Sequence, residues 1–133
     1  MNLPLEIQQF PADIFSDYVK LTENFEQVVF TGSRAMGGWS DKSDYDFVVA
    51  RGKTKVNVGH LGYRFRTQQG IENYEGEEHL TSYRKGAINL LVMEDPDKLD
   101  DWAVATDYCI EHGISERPAR IAAFRRLMPW REE

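Results

Sequence analysis

The spacing of apolar residues near the start of the chain is typical of an amphipathic helix. Ile14, Tyr18 and Leu21 lie three or four positions apart, and this spacing predicts a helix over residues 11–22. Pro11 suits the first turn, because the amide hydrogen that proline lacks would have no partner there. We therefore expect a helix with one buried face at the start of the chain.

Unbroken apolar runs later in the chain predict buried strands at residues 27–31 and 44–50. A hairpin is predicted further on, with strands over residues 79–83 and 87–94 and a turn through Arg84-Lys85-Gly86. The two basic residues at this turn are expected to be solvated, and contact with a phosphate is the alternative.

The stretch between these strands, residues 53–78, has the weakest pattern. Val58, Leu61 and Phe65 would share one face of a helix, and Gly70 could end it. Two glycines lie inside that helix, and each would cost roughly 1 kcal/mol relative to alanine. A helix is the prediction here, against the preference of its glycines.

The last third of the chain predicts two helices. Asp95 is expected to cap the first, which begins with Pro96 and ends at Gly113. Its inward residues are expected to be Leu99, Trp102, Ala103, Thr106 and Ile110. Ser115 is expected to cap the second helix, which Pro129 ends. Its inward residues are expected to be Ile121, Phe124 and Met128.

The order helix, strand, strand, helix, hairpin and two helices predicts an α+β fold. A small mixed β-sheet would carry helices packed over one face. The 133 residues give room for a single domain over residues 1–133. The lone cysteine, Cys109, excludes an internal disulfide and is expected to be a small core residue.

The charge of the chain limits its partners. The net charge of −6 disfavours non-specific binding to duplex DNA, which depends on neutralising many phosphates. A cluster of arginines near the end of the chain is interpreted either as a solvated helix face or as a surface for phosphate or RNA. Its members are Arg117, Arg120, Arg125, Arg126 and Arg131. With no apolar run long enough for a membrane span and no secretory signal, a cytoplasmic location is expected.

The loop after the first predicted strand has features of a phosphate site. Gly32 directly follows the strand, where it allows a sharp turn and the close approach of a ligand. Ser33 would begin a short helical turn whose free N–H groups and hydroxyl could bind phosphate. Arg34 and Lys42 add positive charge nearby. We therefore predict a nucleotide-binding loop formed by these four residues.

Two aspartates follow that loop. Asp44 and Asp46 are two positions apart on a predicted strand, so both carboxylates project from the same face, while Tyr45 and Phe47 project from the other. Carboxylates this close are unfavourable unless a cation lies between them, and hard oxygen ligands favour Mg²⁺ or Mn²⁺. A phosphate site beside paired carboxylates is the arrangement that phosphoryl transfer requires.

A Gly-Ser pair, ten residues and an Asp-hydrophobe-Asp triplet resemble the signature of the polymerase-beta-type nucleotidyltransferases, especially minimal stand-alone members. The resemblance implies that Gly32 and Ser33 hold a triphosphate and that Asp44 and Asp46 bind the metals. The implied reaction transfers a nucleoside monophosphate from an NTP to an acceptor hydroxyl and releases pyrophosphate. The acceptor could be an RNA end, a nucleotide or a protein side chain.

The second half of the chain is similar to short nucleotidyltransferase-like proteins of tailed bacteriophages. The similar segments are residues 83–92, Asp95-Pro96, Trp102, residues 105–106 and residues 120–124. A bacteriophage origin would place the protein in the cytoplasm of the host.

The sequence departs from the nucleotidyltransferase pattern at one position. Active members carry a third carboxylate on a later strand, and Asn89 stands in the matching place here. An amide can bind a cation through its oxygen, but it brings no charge and is a poor general base. The second metal position is therefore expected to be weak. The alternative is a buried asparagine that satisfies backbone groups.

Three functions remain open from the sequence. The first is a metal-dependent nucleotidyltransferase with Asp44, Asp46 and Asn89 as its catalytic residues. The second is a non-catalytic protein that keeps the fold and binds or inhibits a host protein, which the asparagine favours. The third is the antitoxin of a toxin–antitoxin pair, a role that the same resemblance implies and that requires a toxin as partner.

Overall fold

The computed structural model describes residues 10–52, 56–67 and 81–128 of the chain. Helix α1 spans Ala12–Asn24, and Pro11 immediately precedes its first turn. Ile14, Tyr18 and Leu21 are its buried residues, which confirms the predicted helix and its inward face. A proline at this boundary leaves no amide hydrogen unsatisfied.

Five strands form one mixed sheet, which confirms the predicted α+β class. They are β1 (Val28–Thr31), β2 (Tyr45–Ala50), β3 (Arg64–Thr67), β4 (Thr81–Lys85) and β5 (Ile88–Met93). The spatial order is β1-β2-β5-β4-β3. Only the β2–β5 pair is parallel among these neighbours, and the others are antiparallel. Because β2 and β5 run in the same direction, residues at the start of both strands meet at one end of the sheet.

Helices cover both faces of this sheet, so the expectation that they lie over one face is wrong. Helices α3 (Pro96–Glu111) and α4 (Arg117–Leu127) enclose one core with Val48 of β2. Helix α1 encloses the other core, to which β2 contributes Phe47 and Val49. Alternate residues of a strand point to opposite faces, so the fully buried run along β2 fills two separate cores.

The middle of the chain differs from its prediction. A single 3₁₀ turn spans Val58–Leu61 and strand β3 follows it, where the sequence predicted a longer helix. Gly62 ends the turn with φ of 96°, a left-handed value that helices adopt at their ends. Phe65 is 61% exposed instead of inward. Gly70, the expected end of the helix, lies outside the described residues.

The predicted hairpin is confirmed, but its turn lies later in the chain than expected. Strand β4 continues to Lys85, and Gly86 and Ala87 form the turn, with φ of 56° at the glycine. Arg84 therefore belongs to the strand, opposite Asn89 of β5, and is not at the tip of the hairpin. The first two residues of the predicted hairpin, 79 and 80, lie outside the described residues.

Helix α3 has the predicted start and a slightly rotated buried face. The carboxylate of Asp95 accepts a hydrogen bond from the Asp97 amide, as expected for a cap. Its buried residues are Leu99, Trp102, Ala105, Thr106 and Cys109. Ala103 is half-buried and packs against the core, whereas Ile110 is 40% exposed, so the expectation that Ile110 faces inward is wrong. Cys109 is buried, as expected of a core residue.

Helix α4 begins later than its sequence indicates. Glu116, and not Ser115, immediately precedes its first turn. Phe124 and Met128 are buried as expected, whereas Ile121 is only half-buried. The predicted end at residue 129 lies outside the described residues. Among the described helices, none is long and apolar enough to cross a membrane.

Candidate functional site

The candidate site lies where strand β1 ends and the short helix α2 (Gly32–Met36) begins. Gly32 has φ of 77°, a left-handed value that other residues rarely adopt. A β-carbon at Gly32 would collide with Oδ2 of Asp46. The glycine thus lets the backbone turn lie against the Asp46 carboxylate, and the two parts of the sequence motif meet in space.

Polar side chains form a row across all five strands at this end of the sheet. Asp46 lies opposite Thr31 on β1 and Asn89 on β5. Asn89 lies in turn opposite Arg84 on β4, which lies opposite Arg64 on β3. Neighbours in register point to the same face of a sheet. That face therefore carries, in order, a hydroxyl, a carboxylate, an amide and two guanidinium groups.

Asn89 is buried in this row and held at both ends of its amide. Its Nδ2 donates to Oδ1 of Asp46 at 3.2 Å, and its Oδ1 accepts from the hydroxyl of Ser82 at 2.8 Å. A carboxylate can only accept at this position, which fixes the nitrogen of the amide toward Asp46. The amide oxygen is consequently directed to Ser82. The partners are side chains, in contrast to the backbone groups considered from the sequence.

Asp44 immediately precedes β2 and makes an ion pair with Arg84. Nη2 of Arg84 lies 2.7 Å from Oδ1 of Asp44, and both side chains are partly exposed. Nε of the same arginine donates to the carbonyl of Gly86 at 3.0 Å. Because Arg84 and Asn89 are neighbours on one face, the two aspartates reach the same side of the sheet, as the sequence predicts. A partly exposed ion pair is worth about 0–1 kcal/mol, so Asp44 can exchange this partner for another cation.

Arg34 braces the loop between Ser33 and Asp44. Its Nε donates to the carbonyl of Ser43 at 3.2 Å, and its guanidinium carbon lies 4.6 Å from the ring centres of both Trp39 and Tyr45. These contacts stabilise the conformation of the loop, and they are the contacts of a supporting residue more than those of a phosphate ligand.

The other two residues of the predicted nucleotide loop differ in exposure. Ser33 is half-buried in the first turn of α2, and Lys42 is exposed in the loop. Gly32, Ser33, Asp44, Asp46 and Asn89 are thus brought to one end of the sheet. Arg34 contacts the neighbouring loop from α2, and Lys42 lies in that loop.

The side chains at this site suit one hard cation. Within the residues that the structure describes, no group of three His, Cys, Asp or Glu side chains could hold a metal ion. Asp44 and Asp46 supply two carboxylates, and Mg²⁺ commonly takes one or two carboxylates together with water and substrate phosphates. A second ion would need a further anionic ligand, which Asn89 does not provide. The two carboxylates could therefore supply part of the coordination of one hard cation, with water as the remaining ligands.

Sequence reasoning missed Ser82 and Arg64 and placed Arg84 in a turn. These residues lie on strands that the chain reaches much later than the motif. Strand β4 extends to Lys85, so alternate residues Ser82 and Arg84 lie on one face of the sheet. The sequence could have indicated this shared face if the strand had been predicted at its full length. Arg64 could not be found, because its strand was predicted as a helix.

The described arginines near the end of the chain differ in exposure. Arg120 is buried and donates to the carbonyl of Gly37 at 3.1 Å. Arg117, Arg125 and Arg126 are exposed, and Arg131 lies outside the described residues. Arg120 thereby ties helix α4 to the loop of the candidate site.

Several groups with shifted pKa values lie in the two cores. Burial raises the pKa of the Cys109 thiol, an effect that nearby Arg120 partly offsets. Burial also raises the pKa of Tyr63, and the negative charge of Asp17 raises it further. These shifts keep the thiol and the phenol neutral at ordinary pH, as expected of core residues and not of nucleophiles.

No protein family, curated protein sequence or solved structure matches this chain. The function of the site is therefore argued from its own side chains.

Proposed function

We propose that this chain is a Mg²⁺- or Mn²⁺-dependent nucleotidyltransferase. The observation that carries the proposal is the contact between the left-handed Gly32 and the carboxylate of Asp46, with Asp44 reaching the same side of the sheet. The backbone turn at the start of α2, beside two carboxylates, suits a triphosphate and its cation.

In the proposed reaction, an acceptor hydroxyl oxygen attacks the α-phosphorus of an NTP. The bond from phosphorus to the bridging oxygen of pyrophosphate breaks, and the hydroxyl proton passes to water or a carboxylate. Asp44 and Asp46 would hold the cation, which neutralises charge on the phosphates when it is bound. Gly32 and Ser33 would position the triphosphate through backbone N–H groups and the serine hydroxyl.

Arg84 and Arg64 could bind a further phosphate group beside the two carboxylates. Two guanidinium groups opposite each other on neighbouring strands repel, and both are exposed on the face that carries the carboxylates. A guanidinium group binds phosphate oxygens in pairs. We infer that a phosphate group of the NTP or of the acceptor binds at these arginines and relieves their repulsion.

Asn89 limits the expected rate. Its oxygen faces Ser82, and it carries no charge to hold a second cation near the acceptor hydroxyl. Removal of the hydroxyl proton then depends on the remaining carboxylates or on water. Slow transfer, or transfer favoured by Mn²⁺, is what this donor set supports.

A non-catalytic binding protein is the second candidate. Two observations favour it. Asn89 forms hydrogen bonds with Asp46 and Ser82, and Asp44 forms an ion pair with Arg84, so these side chains already have partners within the protein. In that case the polar row stabilises the sheet, and the chain acts on a host protein or on a toxin. Nucleotide would then be neither bound nor transferred.

Label transfer from each of four α-labelled NTPs separates these functions. The protein is incubated with Mg²⁺ or Mn²⁺, alone and with a cell lysate, and labelled protein and RNA are resolved on a gel. The active-site variant is Asp44→Ala/Asp46→Ala. The matched control, Glu23→Ala/Asp100→Ala, removes two exposed carboxylates elsewhere.

Transfer that the control retains and the active-site variant loses supports the enzyme and identifies both base and acceptor class. Folded wild-type protein that transfers no label favours the binding protein. Transfer that survives loss of both aspartates contradicts the proposed site.

A further inference from the structure

Strand β1 has an outer edge that faces away from the candidate site. It is the last strand on its side of the sheet and pairs with β2 along its other edge. No strand within the described part of the chain pairs with this outer edge. The unpaired N–H and C=O groups of an edge strand can form hydrogen bonds with another extended chain.

A groove of about 420 Å³ lies between this edge and helix α3. Its floor and walls include Val28 and Phe30 of β1 and Ala103 and Ile110 of α3. Ile110 is 40% exposed, although the apolar pattern of the helix predicts that it faces inward. Together with Ala103 and the edge of β1, this side chain gives the groove a contiguous apolar lining.

The helical side of this groove is acidic. Asp107 and Glu111 lie one turn apart on α3, both line the groove and both are exposed. Glu26 is exposed two residues before β1. The described residues that line the groove include no lysine or arginine. The groove therefore combines a free strand edge, apolar walls and a negative rim.

We propose that this groove binds an extended, basic segment of a partner protein. The segment adds to β1 through backbone hydrogen bonds, as in other cases of strand addition to a sheet edge. Its apolar side chains contact Ala103 and Ile110, and its lysines or arginines contact Asp107 and Glu111. This proposal does not depend on nucleotidyl transfer, because it uses none of the side chains that would hold the cation or the nucleotide.

The charge on the groove favours a different protein over a second copy of this chain. Pairing β1 with β1 of another copy would bring two rims of Asp107 and Glu111 toward each other, and like charges across an interface are unfavourable. Each copy also carries a net charge of −6. A basic segment is repelled neither by Asp107 and Glu111 nor by the negative net charge of the chain.

The test uses a fluorescent decapeptide of Val-Thr-Lys-Thr repeats as the probe, in which the valines and the lysines lie on the same face of the strand. Binding to the full chain is measured by fluorescence polarisation, and the contact surface by amide shifts in ¹⁵N-labelled protein. We expect shifts at Val28–Thr31 and at Ile110. The variant Asp107→Lys/Glu111→Lys is expected to weaken binding about tenfold or more, in the range of lost close charge pairs. The matched control Glu23→Lys/Asp100→Lys, with the same change in charge, is expected to stay within about twofold.

Two further arms define the chemistry of the groove. A peptide with glutamate in place of lysine, and a lysine peptide N-methylated at alternate amides, are both expected to lose binding. The variant Asp44→Ala/Asp46→Ala is expected to bind the peptide as the wild type does, so failure of the proposed enzyme leaves this result intact. A spectrum of each variant is recorded to check that the variant is folded.

Several results would overturn the proposal. Equal binding of the glutamate peptide, no effect of Asp107→Lys/Glu111→Lys in folded protein, or shifts confined to other surfaces would each do so. A dimer in sedimentation that Ile110→Glu dissociates would assign the groove to a second copy. Contacts in the free protein between β1 and residues before Phe10 would assign it to the chain itself.

Discussion

Two groups of polar side chains lie next to each other on the same face of the sheet. The inner group is buried and neutral: Thr31, Trp102 and Thr106 are each no more than 2% exposed. The outer group contains Asp44, Asp46, Asn89, Ser82 and Arg84. The two groups meet where Thr31 lies opposite Asp46 in the register of β1 and β2.

The inner group forms a closed circuit of hydrogen bonds. The indole N–H of Trp102 donates to Oγ1 of Thr31 at 3.2 Å, and Oγ1 of Thr106 donates to the Trp102 carbonyl at 2.9 Å. The 2.9 Å contact between the two threonine hydroxyls must then use the hydrogen of Thr31. Every donor in this circuit has an acceptor, which is what a buried polar group requires.

The outer group combines buried, neutral Asn89 and Ser82 with charged side chains, and it opens to the surface at Asp44 and Arg84. Asp44 and Arg84 keep 28% and 43% of their side chains exposed. Closed neutral circuits stabilise a core, whereas partly exposed charges can exchange partners with a ligand. This difference between adjacent polar groups is the structural basis for placing function at the outer one.

The largest expected effect is on stability and lies in the inner group. Trp102→Ala removes the largest fully buried side chain among the described residues and should lower the free energy of unfolding by about 3–5 kcal/mol. Trp39, which is 53% exposed, is the matched control, and Trp39→Ala should cost about 1 kcal/mol or less. Urea titration measures both. Similar costs at the two positions would contradict the assignment of Trp102 to the core.

The next largest effect is at the boundary between the groups. Gly32→Ala should cost about 1–3 kcal/mol, because it adds a collision with Asp46 to a left-handed backbone. Gly86→Ala is the control, since Gly86 has φ of 56° and no atom within 4 Å of an added β-carbon. The difference in unfolding free energy between the two variants measures the collision alone. If Gly86→Ala proves as costly as Gly32→Ala, the close approach to Asp46 is wrong.

A smaller effect is expected from completing the outer group with a third carboxylate. Asn89→Asp should raise the affinity for Mn²⁺ by about tenfold, since affinity rises with the number of charged ligands. Without metal it should destabilise the protein, because the new carboxylate lies against Asp46. Calorimetric titration and thermal unfolding with and without Mn²⁺ measure the two effects. A stability gain without metal would rule out the proposed geometry.

The smallest effect is the dependence of stability on alkaline pH. Burial raises the pKa of Cys109 above its ordinary 9.0 and that of Tyr18 above its ordinary 10.0. The folded state therefore keeps protons that the unfolded state releases, so this contribution to stability is complete below about pH 9 and is lost as the pH rises further. Urea titrations at pH 8 and 10 test the sign. Greater stability at pH 10 would contradict it.

The central strands of the sheet and the central residues of the candidate site could be predicted from the sequence. The apolar runs that became β2 and β5 were predicted as strands, and their apolar residues are buried on both faces of the sheet. Because these two strands are parallel and adjacent, Asp46 and Asn89 lie opposite each other, as their positions in the sequence suggest. Gly32 could be placed because a glycine directly after a buried strand has few other uses.

The edges of the fold could not be predicted in the same way. Strand β3 is four residues long and exposes Phe65, so its pattern has neither the length nor the alternation of a buried strand. The turn at Gly86 was shifted because basic residues are equally common in turns and on exposed strands. Ile110 was predicted in the core because periodicity cannot reveal that no element in the described part of the chain covers it.

Paramagnetic broadening by Mn²⁺ tests the metal site most directly. Substoichiometric Mn²⁺ is added to ¹⁵N-labelled wild-type protein and to Asp44→Ala/Asp46→Ala. We expect the amide signals of Gly32, Ser33 and Asn89 to broaden first in the wild type and to stay sharp in the variant. Broadening that persists in the variant, or that occurs first around Asp107 and Glu111, would contradict a cation site at the two aspartates.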